Sequence, residues 1–350
     1  MKRNWILWLL LVAFAWLLVT RREEAEILLQ TLQRGRWAWV MIATLMQMMY
    51  YLFFAASYWS AFNAVEVKSK LRDLVPITFA ALFVNVVAPT GGTGGAALFL
   101  DDARRRGQSS SRAAAGTLFQ LVAHFGSFSL VLLVGLTYLF LQGNLRIHEV
   151  LAAVILLGMV SVLSTILLLG LWRPDWLQRL MYWIQRTANR GCGRFQRVPF
   201  FEDDWAIRHS REFADAASAI GKSPARLIRT LGIALAAHVF NLLCLYVLFR
   251  AFGENITFGP LVAGYAVGLL FWIVSPTPQG IGIVEGMMVL VFTSLHIRGE
   301  IAATVVLAFR GLAFWLPLGV GFLMLHRIEA FKAREKKLER KKSLTGFPNV

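Results

Sequence analysis

Long apolar runs separated by short polar segments set the pattern of this chain. The runs fall at 5–19, 37–62, 75–100, 114–141, 150–172, 230–250, 260–296 and 300–325, most of them about 15 to 28 residues long. Roughly 20 helical residues cross the hydrocarbon core of a bilayer. Spans are therefore predicted at 5–19, 37–62, 114–141, 150–172, 230–250 and 300–325. The first run follows Met1-Lys2-Arg3 and precedes Thr20-Arg21-Arg22 without a small-residue cleavage site. It reads as an uncleaved signal-anchor.

The runs at 75–100 and 260–296 differ from the rest. One is interrupted by Ala88-Pro89-Thr90-Gly91-Gly92-Thr93-Gly94-Gly95, the other by Ser275-Pro276-Thr277-Pro278-Gln279-Gly280-Ile281-Gly282. Proline removes a backbone donor and glycine weakens a helix, so neither run is predicted as one straight span. Loop charge decides what they are instead. Segment 173–229 holds eleven Lys/Arg and 326–350 holds eight, whereas 142–149 and 297–299 hold one each and 251–259 none. Positive segments stay cytoplasmic. Segments 63–74, with three basic residues, and 101–113, with four, flank the run at 75–100. That run is predicted to enter and leave on the cytoplasmic side, and the run at 260–296 on the outside. Both chain termini are then cytoplasmic. Arg21, Arg22, Arg34 and Arg36 lie on the outer segment and run against the rule, partly offset by Glu23, Glu24 and Glu26.

Composition agrees with this pattern. Of 350 residues, 57% are hydrophobic and 16% charged, against roughly 45–50% and 25% in soluble domains. Mean hydropathy is +0.59. The formal net charge is +16, but it sits in short blocks between apolar runs, which is membrane topology rather than a nucleic-acid surface. Two cysteines, Cys192 and Cys244, exclude a disulfide framework and a Cys-based metal cluster. The fold class is an all-α membrane protein, a polytopic helical bundle in the cell (inner) membrane.

The two interrupted runs resemble each other. Val87-Ala88-Pro89-Thr90 reads against Val274-Ser275-Pro276-Thr277 at an offset of 187, and Leu118-Phe119-Gln120 against Ala308-Phe309-Arg310 at an offset of 190. Span 37–62 maps on the same offset to the span at 230–250. Each half is a span, a Pro/Gly-broken re-entrant hairpin and a span, and loop charge inserts the halves in opposite senses. Two inverted repeats with broken helices are the mark of transporter folds, and the breaks point to the substrate site.

Pro276-Thr277-Pro278-Gln279-Gly280-Ile281-Gly282-Ile283-Val284-Glu285, followed by Arg310-Gly311-Leu312-Ala313-Phe314-Trp315-Leu316-Pro317, resembles a signature of the flippase-like transmembrane domain of lysylphosphatidylglycerol synthases and their stand-alone relatives. The resemblance covers about 5–325, which makes 1–325 the transmembrane domain and 326–350 a basic cytoplasmic tail. Many relatives place an acidic residue and an arginine soon after the first glycine turn. Here Gly94-Gly95-Ala96-Ala97-Leu98-Phe99-Leu100 comes first, and Asp101, Asp102 and Arg104 arrive later. The soluble aminoacyl-transferase domain of the synthases has no counterpart in the sequence, so lysyl transfer is not expected.

Glu285 and Arg310 are the sharpest candidate pair. A charge near the bilayer centre faces protein or water and has a partner. Arginine suits a lipid phosphate because its planar fork bonds two oxygens. The alternative is a structural lock between hairpin and helix. Around the breaks, Pro89, Gly91, Gly92, Gly94, Pro276, Pro278, Gly280 and Gly282 would let a headgroup approach freed backbone groups and half-helix N-termini; close helix packing is the plainer explanation. Asn85, His124, His238 and Asn241 are intramembrane polar residues, as are Gln47 and Gln120. His238 and Asn241 share a helical face, and His124 could titrate near neutral pH, although such residues commonly hydrogen-bond neighbouring helices. No Ser/His/Asp, paired-carboxylate or metal-ligand spacing stands out, so neither catalytic residues, metal nor cofactor are expected. Segment 173–229 reads as amphipathic: Trp176, Leu177, Leu180, Met181, Trp183 and Ile184 form one face suited to the inner leaflet, and Asp203-Asp204 opens a second helix. The expected partner is a membrane phospholipid or polyprenyl phosphate, moved between leaflets, with room for a homo-oligomer. A transporter of a small polar solute and a non-transporting scaffold for a lipid enzyme are the alternatives.

Overall fold

The computed structural model describes residues 35–87, 93–193, 204–275 and 277–344, together with Glu26, Gln30 and Gln33; at 87, 93 and 278 and within 191–193 and 325–344 it describes backbone alone. The span expected at 5–19 lies outside these residues. Among the described residues all regular structure is helical. The elements are α1 (Trp37–Ala64), α2 (Leu71–Val87), α3 (Thr93–Arg105), α4 (Ser110–Leu141), α5 (Ile147–Trp172), α6 (Pro174–Gly193), α7 (Trp205–Gly221), α8 (Pro224–Ala251), α9 (Phe258–Val274), a 3-10 turn (Pro278–Gly280), α10 (Ile283–Ser294) and α11 (Gly299–Leu344). Helices α1, α4, α5, α8 and the Gly299–Met324 part of α11 are long and apolar enough to span a bilayer; α9 and α10 are shorter apolar helices. The chain is a polytopic helical membrane protein. The spans are somewhat longer than apolarity alone indicated, and the backbone of 326–344 continues α11 as helix.

Contacts between loops sort the bundle into two ends. At the basic end the Lys68 N–H donates to Gln108 Oε1 at 3.3 Å, Arg112 meets Glu66 at 3.3 Å and Arg106 meets Asp73 at 3.6 Å. Hairpin α2–α3 thus starts and finishes there. At the opposite end Asn144 Nδ2 donates to the Ser294 carbonyl at 3.3 Å and Arg298 meets Glu254 at 3.3 Å. Hairpin α9–α10 starts and finishes at that end.

Helix α1 packs along α8 for its whole length, and the two run antiparallel. The Arg36 N–H donates to the Ala251 carbonyl at 3.1 Å, the Phe53 and Phe240 rings lie 4.9 Å apart midway, and Ser60 and Thr230 share a 2.8 Å hydrogen bond. Further contacts match across the halves. Helix α2 packs on α11 as α9 packs on α4, and α3 packs on α4 as α10 packs on α11. Close approach needs small residues: a Cβ on Gly135 would lie 2.7 Å from the Ala266 methyl, and one on Gly321 would lie 2.4 Å from the Phe79 carbonyl oxygen. Without a hydrophobic drive between helices in lipid, such approach is how membrane helices gain packing.

The amphipathic segment forms two helices at the basic end. On α6, Leu177 is buried while Trp176, Trp183 and Ile184 are exposed, so the predicted apolar face divides between protein and surroundings. Arg179 stands 5.6 Å over the Trp176 ring. On α7, Phe213, Ala217 and Ile220 are buried. Its polar side clamps the start of α4: Ser109 donates to Glu212 at 2.6 Å and Ser111 bonds His209.

Single cysteines at Gln108, Asn144 and Asn255 in a Cys-free background test the two-ended arrangement. An impermeant thiol reagent added to sealed cells should modify 144 and 255 and spare 108. Joint labelling of 108 and 144 would contradict it.

The α7 clamp carries a pH dependence. Burial pushes the Glu212 carboxyl up, but hydrogen bonds from Ser109 and Ser111 and the charges of His209 and Arg208 outweigh it, leaving it below its usual 4.5. A lowered folded-state value contributes stability that is present above the unfolded value and lost as pH falls through the folded one. Amide-exchange protection of 205–221 should therefore drop below about pH 4.5. In Glu212→Gln that acid step should vanish; an unchanged step would assign it to other groups.

Candidate functional site

The second break is a turn held by side chains. Gln279, Gly280 and Gly282 have φ of 58°, 70° and 81°. Glycine adopts such angles freely, but Gln279 does so at a cost its surroundings must cover. A Cβ on Gly280 would lie 2.4 Å from Val284 Cγ2 and 3.2 Å from Trp272 Cα. Thr277 accepts on its carbonyl from the Gly280 N–H at 3.0 Å and donates its hydroxyl to the Ile281 carbonyl at 3.2 Å. Trp272 Nε1 donates to Gln279 Oε1 at 3.1 Å.

Glu285 and Arg310 meet on this turn. Glu285 is the third residue of α10, where an acidic side chain reaches back to the helix start; its Oε2 accepts from the Gly282 N–H at 2.7 Å. Its Oε1 accepts from Arg310 Nε at 2.7 Å. Arg310 Nη2 donates to the Gln279 carbonyl at 2.6 Å. The guanidinium thus joins α11 to the carboxylate of α10 and to the left-handed residue of the turn. Two of its five N–H donors serve these bonds, and Nη1 serves neither. The arginine side chain is 12% exposed and the glutamate 27%. Of the flanking candidates, Pro278 opens the 3-10 turn, and Pro276 lies outside the described residues.

Two turns further along α11, Pro317 has no N–H to give the Ala313 carbonyl. Tyr51 from α1 supplies the bond instead, at 2.8 Å. Tyr51 also packs against Phe79 of α2, ring centroids 5.4 Å apart, which ties the first hairpin to the helix that carries Arg310.

The first break is built differently. Asn85 Oδ1 accepts from the Gly95 N–H at 2.9 Å, and a Cβ on Gly95 would lie 2.6 Å from Asn85 Nδ2. Asn85 therefore caps the first turn of α3, in which Gly94 also lies. Pro89, Gly91 and Gly92 are outside the described residues. Asp101 and Asp102 pair one turn on with Arg105 and Arg106, as a solvated helix end would.

His124, His238 and Asn241 come together in the centre of the bundle. The two imidazole rings stack 4.5 Å apart. His238 Nδ1 bonds the Tyr265 hydroxyl at 2.8 Å, and Nε2 lies 3.2 Å from the His124 carbonyl. Asn241 Nδ2 donates to the same hydroxyl at 3.4 Å. Tyr265 in turn lies beside Phe309, ring centroids 6.5 Å apart, so this cluster and the Arg310 turn are neighbours.

Three contributors escaped the sequence reading. The Gln279 carbonyl was masked because backbone acceptors leave no residue-type signal. Tyr265 and Tyr51 were legible only as hydroxyls inside apolar runs. Gly282-x-x-Glu285 carried a readable helix-start spacing.

Comparison with known proteins matches residues 5–321 to the lysylphosphatidylglycerol synthase TM region. A UPF0104 membrane protein of Pyrococcus horikoshii is 21% identical over 305 residues, 85% of this chain and 89% of the relative. A UPF0104 membrane protein of Methanothermobacter thermautotrophicus is 25% identical over 175 residues, 47% and 52% of the two chains. One of Methanocaldococcus jannaschii is 28% identical over 93 residues, 27% and 28% of the two chains.

Removing one member of a buried ion pair strands the other, at a cost of roughly 3–5 kcal/mol when burial is complete. Glu285 keeps some exposure, so the losses here should fall below that range. Glu285→Ala, which strands the more buried arginine, should lower the detergent melting temperature more than Arg310→Ala. Replacing both by leucine should recover part of the loss, since the Gly282 N–H and Gln279 carbonyl stay unpaired. Single variants melting with the parent protein would remove the lock.

Proposed function

We propose that this chain, which belongs to the lysylphosphatidylglycerol synthase TM region family, moves a phosphate-bearing lipid between the leaflets of a bilayer. The observation that carries the reading is Arg310. It sits far from either end of an apolar spanning helix, at a broken hairpin, and engages two N–H donors with Glu285 and Gln279. Intramembrane cations at broken helices mark substrate paths. The remaining donors suit an anionic, multi-oxygen headgroup such as that of a phospholipid or polyprenyl phosphate. Glu285 balances the charge when no headgroup is bound and keeps the fork oriented. Gly282, exposed and with open space where a Cβ would stand, leaves the backbone beside it open to approach.

The protein acts, in this reading, as a membrane module and not as an enzyme; no residue is given a catalytic role. It resides in the cell membrane with both termini in the cytoplasm. The eleven basic residues of 173–229 and the eight of 326–350 stay with the anionic inner surface. Hairpins that open to opposite sides, on halves inserted in opposite senses, give the headgroup an approach from each leaflet.

Arg310→Lys separates ligand from lock. The charge remains, but one ammonium cannot hold Glu285, Gln279 and a phosphate as a planar fork can. A charge-assisted hydrogen bond contributes about 1.5–3 kcal/mol, so lipid retained through purification, identified by mass spectrometry, should fall about tenfold or more. Flipping of a fluorescent phospholipid in proteoliposomes should fall in parallel, with the helical fold unchanged. Undiminished retention and flipping would return Arg310 to a helix clamp.

A further inference from the structure

The turn at Arg310 leaves a second set of buried polar groups unexplained. On α4, Thr117, Gln120 and His124 follow one another at helical spacing, so they line one face. All three are more than nine-tenths buried. Thr117 Oγ1, Gln120 Oε1 and His124 Nδ1 have no hydrogen-bond partner among the described residues. Asn241 Oδ1, as deeply buried, has none either. Burying a polar atom without a partner is costly, so a row of them needs a visitor that hydrogen-bonds.

The row continues towards the basic end. Gln120 Nε2 donates to Ser57 at 3.1 Å. Ser60, a turn further along α1, shares its hydroxyl with Thr230 at 2.8 Å and accepts from Arg229 Nε at 3.3 Å. Arg226 caps the Ala64 carbonyl at 3.2 Å. A polar seam between α1, α4 and α8 thus runs from surface arginines to the stacked histidines.

We propose that the bundle centre binds one proton at the His124–His238 pair, delivered along this seam from the basic end. The hydrogen bonds around His238 admit two patterns on the same heavy atoms. A carbonyl only accepts, so Nε2 carries a hydrogen and donates it to His124. In the neutral state Nδ1 accepts from the Tyr265 hydroxyl, whose oxygen accepts from Asn241 Nδ2. When a hydronium ion at the basic end gives up a proton and is left as water, Nδ1 gains one and becomes a donor. The Tyr265 hydroxyl then accepts from Nδ1 and turns its own hydrogen to Asn241. The amide rotates to present Oδ1, the atom that has no partner in the neutral pattern. The Asn241 amide is the one group whose heavy atoms turn, and one proton is gained with no covalent bond of the protein broken.

Two imidazoles stacked 4.5 Å apart cannot both be charged cheaply, so the pair takes a single proton. Among the described residues, the one titratable group that meets the pair from another helix is Tyr265 of α9; Phe54 of α1, 4.9 Å from the His124 ring, and Phe128 of α4, 5.7 Å from the His238 ring, supply uncharged contacts. The site stands independently of the lipid reading, since it is defined by proton uptake rather than by transport.

The full chain with isotopically labelled histidine, in nanodiscs of zwitterionic phospholipid, provides the test by nuclear magnetic resonance. At pH 8 one histidine should show the neutral Nε2–H tautomer and convert reversibly to imidazolium on acidification. The signal should be absent from His238→Gln. In Tyr265→Phe, which keeps the ring and removes the relay, the midpoint should move by at least half a pH unit. Gln120→Cys should react with a small thiol reagent from the basic end alone. A central histidine that stays neutral until the protein unfolds would overturn the proposal, as would joint charging of both rings or an unmoved midpoint in Tyr265→Phe. Should His238→Gln fail to fold, the Tyr265→Phe midpoint and the Gln120→Cys reactivity decide alone. Loss of lipid retention in Arg310→Lys tests the other reading and leaves this one untouched.

Discussion

Inside a bilayer a broken helix must find new partners for every backbone group the break releases, because lipid offers none. At the second hairpin the requirement falls on a four-residue turn with three left-handed angles, one of them at a glutamine. Arg310 takes the carbonyl of that glutamine and Glu285 takes the N–H of Gly282. The two side chains then neutralise each other. Satisfying the turn therefore brings a cation and an anion to the middle of the membrane. It is the backbone demand that places the charges, and the charges then give the site its chemistry.

The same demand is met without charge elsewhere. Pro317 releases the Ala313 carbonyl and Tyr51 recovers it. Asn85 caps the start of α3 with an uncharged amide. These substitutes also tie helices together across the bundle, since Tyr51 belongs to α1 and packs on α2. A break late in the chain is thus completed by a residue from α1.

Much of this was legible before any coordinates. Hydropathy found the spans because twenty apolar residues have few alternatives. Proline and glycine marked both hairpins. Arg310 and Glu285 stood out because intramembrane charges are costly and seek partners. What stayed hidden depended on side-chain reach across the bundle. Nothing in the local sequence of Tyr265 says that it bridges His238 and Asn241, and the spacing of His238 and Asn241 fixes a face without naming what that face meets. Likewise, the apolar face of α6 divides between Leu177, buried, and Trp183, exposed, and helical period alone does not set where protein ends and lipid begins.

The two segments that read against each other in the sequence differ at corresponding positions. Arg310 aligns with Gln120 on the offset that relates the halves, and the first hairpin has no acidic residue where the second has Glu285. A glutamine cannot carry a phosphate, but it can hold water or pass a hydrogen bond, and Gln120 sits in the polar seam with its carbonyl oxygen unpaired. At matching places the chain thus carries a charged clamp beside the second hairpin and a neutral side chain beside the first. Gln120 bonds Ser57 of α1 and Arg310 follows Phe309, which packs on Tyr265, so both positions border the buried layer between the helices. Any conformational change that opens one hairpin must rearrange this layer, because interior packing is close and admits discrete arrangements rather than gradual ones. A charge gained at the histidines and a headgroup bound at Arg310 would then act on the same element, and each would bias the affinity of the other by an equal factor.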